Sequence, residues 1–307
     1  MSGAILEAKG LSKWFGEIVA LNNVELEIAP GVTGLLGPNG AGKSTFMKLA
    51  LGLYQPSRGY VRVLGESPRN NPRILERIGY CPEIDHFYEN MTGFEFVYHM
   101  NRHWGMGRKD ATAAAERAIE RVQLRERMDD PIDEYSKGMR QRIKIAQALA
   151  CEADLLLLDE PMTGLDPQGR EEMFHLVRTL GDEGYSVIIS SHILYEVERV
   201  TDNVVLIYGG AVLASGRVAE IRDLLDDHPR TIRIDTPEVR ALAALFAGDD
   251  HVLSLECGEE KLTLRTRDAS AAFDRLNRLA LDADAPRITG ITCSDDDLQS
   301  VFDYLVG

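Results

Sequence analysis

The chain has 307 residues, 44% of them hydrophobic and 27% charged, so it can bury a core and is long enough for two domains. Its 34 Lys and Arg stand against 49 Asp and Glu, which gives a net charge of −15. That sign disfavours a protein that wraps nucleic acid or lies on anionic lipid, because both functions need a positive surface.

The beginning of the chain predicts short strands. Residues 1–11 carry charged side chains and lack the apolar stretch of a secretory signal, so we expect a cytoplasmic protein. The patterns at 6–9 and 24–28 predict an antiparallel, half-exposed sheet. Val32–Leu36 is apolar throughout, and a glycine-rich loop and a helix over 46–53 follow it. This order of strand, loop and helix is typical of an α/β core.

Helical patterns dominate the next part of the chain. Thr92 and Glu95 have the spacing of a capping box at a helix start. Residues 110–122 are rich in Ala and charged side chains, with the apolar positions on one side. We therefore predict a helical subdomain, over about 84–150, inserted into the core.

Further buried strands follow the helical region. Leu155–Leu158 and residues 187–189 predict parallel strands, with a helix over 168–180 between them. Residues 204–207 and 211–214 predict a hairpin. All these apolar runs are far shorter than the roughly 20 residues that a membrane-spanning helix needs.

The last part of the chain predicts a second domain. Charged residues and a proline cluster at 226–229, which indicates a boundary between a first domain at 1–225 and a second at 230–307. The order of strand, helix, strand, strand, helix, strand predicts a small α+β domain of the ferredoxin-like type. The predicted elements are 231–234, 238–246, 252–256, 261–265, 269–281 and 287–292.

The glycine-rich loop fits the pattern G-x-x-x-x-G-K-[ST] of a phosphate-binding loop between a strand and a helix. Its backbone N–H groups can converge on phosphate oxygens, and Lys43 can reach the β and γ phosphates of a nucleotide. The Ser44 hydroxyl can ligate Mg²⁺, and Thr45 can add a phosphate contact. A structural glycine-rich turn is the alternative. The loop consists of Gly37, Pro38, Asn39, Gly40, Ala41, Gly42, Lys43 and Ser44.

Two acidic residues come directly after the four leucines of the second buried strand. Asp159 is placed to hold the magnesium, through water. Glu160 is placed to orient and deprotonate a water that attacks the γ phosphate. The alternative is a helix cap or a solvated acidic turn. Two acids at the end of a buried strand are costly unless a metal binds them, so we favour the metal site.

These residues together resemble the ATP-binding subunit of an ABC transporter, with an α/β phosphate-loop NTPase core, over residues 6–225. The segment 135–142, Tyr-Ser-Lys-Gly-Met-Arg-Gln-Arg, is similar to the family's signature motif, which other phosphate-loop ATPases lack. The remaining motifs also occur in family order. They are Phe15 as the aromatic that stacks on adenine, 78–83 as the Q-loop, 164–166 as the D-loop and His192 as the switch histidine.

The resemblance implies an ATPase that uses ATP and Mg²⁺ and works as a head-to-tail homodimer or heterodimer. Each ATP then lies between the Lys43 loop of one chain and the Ser136 and Gly138 loop of the other, with Asp166 nearby. His192 would hold the γ phosphate. The resemblance further implies separate membrane permease subunits, a place on the inner face of the cell membrane, and export. The cargo depends on the permease.

Three residues depart from the family's usual motifs. Glu83 stands where the family has Gln, which would add a negative charge beside the metal held by Ser44 and Asp159. Lys137 replaces a Gly and Met139 a Gln in the signature, and a lysine there could bind the γ phosphate across the interface. Both signature variants resemble the subgroup that serves six-helix export permeases.

Two other functions compete with transport. A soluble ABC ATPase that acts on ribosomes or DNA usually has paired cassettes or basic linkers, whereas this chain has one cassette and a negative charge. A non-hydrolysing interaction module conflicts with the complete set of hydrolytic motifs. Because the net charge is negative, we expect no nucleic-acid partner.

A metal site at Glu95, His99 and His103, on one helical face, lacks a fourth ligand and is not favoured.

Overall fold

A computed structural model describes residues 3–151, 153–221, 230–282 and 285–293. The chain divides into two compact units, Met1–Val218 and Ala219–Gly307. The predicted boundary at 226–229 lies outside the described residues. No helix in the described ranges is long and apolar enough to span a membrane.

The first unit alternates strands and helices. In chain order, its described elements are β1 Leu6–Phe15, β2 Ile18–Ile28, β3 Val32–Leu36, α1 Lys43–Ala50, β4 Arg58–Val63, α2 Pro72–Leu75, β5 Ile78–Cys81, α3 Gly93–His103, α4 Arg108–Arg121, α5 Lys137–Leu149, β6 Leu155–Leu158, α6 Pro167–Asp182, β7 Ser186–Ser191, α7 Leu194–Glu198, β8 Asn203–Tyr208 and β9 Ala211–Arg217.

Two sheets form this unit. One is antiparallel, in the order β2-β1-β4, and the other has the order β5-β6-β7-β3-β8-β9. In the second sheet all neighbours from β5 to β8 are parallel, and β9 is antiparallel. Strands β6 and β7 are buried along their whole length, as their apolar sequences predict. The α/β fold class is therefore confirmed.

The sheet order brings the predicted motifs to one edge. Strands β6, β7 and β3 are consecutive neighbours and run in the same direction. The loops that follow them contain the phosphate loop, the Asp159 and Glu160 pair, and His192. Because the carboxyl ends of parallel strands share one edge of a sheet, these three loops meet there.

The helices α3 to α5 pack in a shared hydrophobic core with β6 and β7. The predicted capping box is confirmed, since the Thr92 side chain accepts from the Glu95 N–H and the Glu95 carboxylate accepts from the Thr92 N–H. A second core lies between the antiparallel sheet, α1 and the other face of the large sheet. The sheet is thus covered on both faces, which keeps its edge loops in place.

The second unit has the predicted order of elements. They are β10 Arg230–Asp235, α8 Val239–Phe246, β11 Val252–Cys257, β12 Lys261–Thr266, α9 Ala269–Leu281 and β13 Gly290–Cys293. The sheet has the antiparallel order β11-β12-β10-β13. Its core is formed by residues of this unit, among them Ile232, Phe246 and Leu264.

Two strand predictions need correction. β4 was not predicted, although its buried Val61 and Val63 alternate with exposed residues. The last strand begins at Gly290, three residues later than expected. The Arg287 N–H donates to the Glu238 carboxylate at 2.9 Å, which holds this part of the chain at the start of α8 and away from the sheet.

Candidate functional site

The phosphate loop connects β3 to α1 in a tight turn. Gly42 caps α1 with a φ of 111°, and a Cβ there would lie 2.6 Å from the Ala20 carbonyl oxygen. Only glycine fits this position without strain. Lys43 opens the helix and is buried, and its Nζ donates to the Gly37 carbonyl at 2.6 Å and the Pro38 carbonyl at 3.3 Å. The loop thus holds a lysine ammonium at the helix N-terminus.

Asp159, directly after β6, accepts hydrogen bonds from three hydroxyl groups. Its Oδ1 accepts from Ser44 Oγ at 3.1 Å and from Ser190 Oγ at 2.7 Å, and its Oδ2 accepts from Tyr80 at 3.5 Å. Burial, followed by the Asp159 charge, raises the pKa of Tyr80, so its phenol stays protonated as a donor. The Asp159 carboxylate, after β6, and the Ser44 hydroxyl, in the first turn of α1, therefore lie side by side.

These oxygens fit a magnesium ion. Mg²⁺ prefers oxygen ligands and is usually held by one or two carboxylates together with substrate phosphates. Ser44 and Asp159 supply that donor set. No group of three or more His, Cys, Asp or Glu side chains comes together in the described part of the chain, so Glu95, His99 and His103 form no such cluster.

Glu160 is a buried carboxylate between a cation and a histidine. Its Oε1 lies 3.1 Å from Lys43 Nζ, a charge contact without hydrogen-bond geometry. Its Oε2 lies 2.9 Å from His192 Nδ1 and accepts from Thr163 Oγ1 at 3.3 Å. The structure therefore brings Lys43, Glu160 and His192 together, as the sequence predicts.

The backbone of Glu160 is strained. Its φ is 49°, in the left-handed region that non-glycine residues rarely adopt. The Glu160 N–H donates to Ser190 Oγ at 2.8 Å, and the same hydroxyl donates to Asp159. Ser190 thus orients both acids at once, which offsets the cost of the strained conformation.

Comparison with known proteins identifies the family. The model of the ABC transporter family matches residues 21–163. The chain is 34% identical to Nod factor export ATP-binding protein I of Cupriavidus metallidurans over 222 residues, which are 72% of this chain and 73% of that protein. This chain belongs to the ATP-binding subunits of ABC transporters.

Two further comparisons support the family. The chain is 31% identical to the bacitracin transport ATP-binding protein BcrA of Enterococcus faecalis over 306 residues, 99% of this chain and 96% of that protein. Its fold matches cbiO1 of Clostridium perfringens, part of the ABC transporter complex cbiONQ, at a TM-score of 0.64 and 27% identity. That match covers 73% of this chain and 95% of the other. As a member of this family, the protein is an ATPase.

The signature of this ABC subunit forms the start of α5. Ser136 caps the helix and accepts from the Met139 N–H at 3.3 Å. A Cβ at Gly138 would meet only Ser136 Oγ, at 4.0 Å, so the surrounding chain does not require glycine there. Within the described ranges, no hydrogen bond or ion pair joins Ser136 or Gly138 to the phosphate loop.

The D-loop lies against the signature within the same ABC subunit. Asp166 caps α6 by accepting from the Gly169 N–H at 2.7 Å. Lys137 Nζ lies so close to Gly164 that a Cβ there would be 1.8 Å away. The lysine predicted to bind phosphate across an interface is therefore in contact with its own D-loop.

Phe15 lies at the end of β1, and Glu83 lies two residues after the carboxyl end of β5, the parallel neighbour of β6. Phe15, at the end of β1, is 41% exposed and meets Tyr54 edge to face at 5.1 Å between ring centroids. The Lys13 ammonium lies over the ring, 4.8 Å from its centroid. Glu83 is exposed, and its charge is among the causes that raise the Tyr80 pKa, while its carbonyl accepts from Lys144 at 3.3 Å. Thr45 is half-buried in the first turn of α1.

Three residues that form hydrogen bonds with the two acids were not predicted from the sequence. Tyr80 and Ser190 bond Asp159, and Thr163 bonds Glu160. A signal existed for Ser190, because a serine directly after the apolar run 187–189 of a buried strand needs a partner. The partner itself depends on β6 and β7 being neighbours, which no local pattern specifies.

Proposed function

We propose that this subunit hydrolyses ATP with Glu160 as general base. Its carboxylate is buried beside the Lys43 ammonium, where the phosphate loop leads into the N-terminus of α1. A γ phosphate that binds Lys43 competes with Glu160 for the ammonium. The carboxylate released from this ion pair is then available to accept a proton from the attacking water.

His192 and the acids of β6 complete the proposed chemistry. The His192 ring touches Glu160 at 2.9 Å and is 40% exposed in its side chain, so it can orient the base and donate to the γ phosphate. Ser44, Asp159 and Glu83 would hold Mg²⁺. When bound, the ion neutralises charge on the β and γ phosphate oxygens. Asp166 and Thr45 would add contacts to the nucleotide.

We further propose a head-to-tail dimer that encloses two ATP molecules. Ser136 and Gly138 stand at a helix N-terminus, an anion-binding feature, and no hydrogen bond or ion pair in the described ranges joins them to the phosphate loop of their own chain. Because Gly138 has open space above it, the γ phosphate held by a second chain can approach the backbone there. The partner is a second copy or a related ATPase.

The exposed segment after β5 supports a membrane partner. Ile84 is 66% exposed and Tyr88 61% exposed, next to Glu83 and the helical region. Their exposed apolar surface is available for contact with another protein. We propose that a permease subunit docks there and keeps the ATPase at the inner face of the cell membrane. The name of the Nod factor relative favours export, and the names of the two relatives give different cargoes.

Two short contacts of the Glu160 carboxylate carry this proposal. Its Oε1 lies 3.1 Å from Lys43 Nζ, and its Oε2 lies 2.9 Å from His192 Nδ1. The test is affinity purification of the tagged chain from detergent-solubilised cells. We expect a polytopic membrane protein in fixed ratio to the ATPase. Recovery of ribosomes or DNA without a membrane protein would contradict transport and favour the soluble ABC ATPase.

A further inference from the structure

The segment Pro82–Glu89 follows β5 and contains neither helix nor strand. We call it the connecting segment, because it leads from the large sheet to the helical region. It carries Glu83 as well as the exposed Ile84 and Tyr88. Its backbone is nevertheless held at several points by one helix, α5.

The strongest attachment is Lys144, in the middle of α5. Its side chain is 4% exposed, and its Nζ donates to the Pro82 carbonyl at 2.9 Å and the Glu83 carbonyl at 3.3 Å. The same ammonium pairs with Asp85 Oδ1 at 2.6 Å. A buried ammonium is tolerated only when oxygen partners replace its water, so these three contacts explain the lysine here.

A second cation acts one helical turn earlier. Arg140 forms two bonds to the Glu89 carboxylate, at 2.9 Å and 2.5 Å, and its guanidinium lies 5.5 Å from the centroid of the Phe87 ring. Residues four apart share one face of a helix. Arg140 and Lys144 therefore hold opposite ends of the connecting segment to the same face of α5.

The same helix carries the signature at its N-terminus and packs directly on β5. A Cβ at Gly79 would lie 2.2 Å from the Ala148 carbonyl oxygen, so strand and helix backbones are in close contact. The end of β5, the connecting segment and α5 are thus joined by backbone contact and by two cations.

We propose that Lys144 is a positioning residue for the ATPase reaction. It holds the connecting segment on α5, so that Glu83 and the signature at Ser136 move together when a partner presses on the exposed side chains. The metal-site part of this inference rests on the proposed function. The attachment itself rests on the contacts of Lys144.

The test is a double-mutant cycle on the full chain, with the Mg²⁺ concentration at half-maximal ATPase rate as the readout. We expect Lys144→Met to raise that concentration about tenfold, because Glu83 is no longer held in place. In a Glu83→Gln background the same change should have less than about a twofold effect. Equal effects in both backgrounds would overturn the proposal, since Lys144 would then act independently of Glu83.

A second measurement is needed if Glu83→Gln has no effect on the Mg²⁺ titration, and a second variant is needed if Lys144→Met does not fold. If Glu83→Gln alone leaves the Mg²⁺ titration unchanged, the metal role of Glu83 fails, and limited proteolysis by chymotrypsin at the exposed Tyr88 decides on the attachment. We expect Lys144→Met to be cleaved there at least about tenfold faster than the wild type, and the control Lys109→Met, an exposed lysine of α4, to be cleaved at the wild-type rate. An unchanged cleavage rate in Lys144→Met would overturn the proposal. Should Lys144→Met not fold, Asp85→Asn, at a partly exposed site, replaces it in both measurements.

Discussion

Glu160 shows how single contacts prepare this site for chemistry. Its carboxylate touches Lys43, His192 and Thr163, while Ser190 holds its strained backbone. An acid in such a buried, preorganised position can act as a base without rearranging its surroundings. The sequence predicts the phosphate loop, Glu160 and His192 as site residues, because each belongs to a spaced motif. The Ser190 contacts do not, because they join two strands that are 30 residues apart in the chain.

Glu160→Gln is expected to bind ATP normally and to hydrolyse it about 10² to 10⁴ times more slowly, since a general base contributes that much to a rate. The matched control is Thr163→Val, which removes only one hydrogen bond to the same carboxylate and should slow turnover less than about tenfold. Steady-state phosphate release and equilibrium nucleotide binding measure the two effects. Wild-type turnover in Glu160→Gln would refute its role as base.

At the level of elements, the close contact of β5 and α5 links the connecting segment to the signature helix. Capping and apolar periodicity were enough to predict α3 and the helical region. β4 was not predicted, since it is short and three of its six residues are Arg or Gly, which do not mark a strand. Its place is set by pairing with β1, which is distant in the chain.

Gly79→Ala tests that contact. A Cβ 2.2 Å from the Ala148 carbonyl must push α5 away from β5, so we expect the free energy of unfolding to fall by about 1–3 kcal/mol, as in other overpacked sites. Gly138→Ala, in α5 itself, is the control. It meets open space, so its stability should be unchanged or about 0.5–1 kcal/mol higher because Ala favours helices. Denaturant unfolding compares the two, and equal stabilities would contradict the close contact.

On the scale of the whole molecule, the two units have separate hydrophobic cores. The order of elements in the second unit was predictable, because each element has its own periodicity. We expect a chain cut after residue 229 to keep its ATPase rate within about twofold and its melting temperature within a few degrees, since the first unit buries its own core. Loss of cooperative unfolding in the truncated chain would show that the second unit is needed for folding.

In the proposed dimer, two copies of the first unit enclose ATP between Lys43 of one copy and Ser136 of the other. Sedimentation velocity of Glu160→Gln tests it most directly, with and without saturating ATP and Mg²⁺. We predict a species of twice the chain's mass with ATP, the single chain without it, and no doubling in a Glu160→Gln chain that also carries Ser136→Arg. A Glu160→Gln protein that binds ATP fully yet sediments only as the single chain would contradict the proposed dimer.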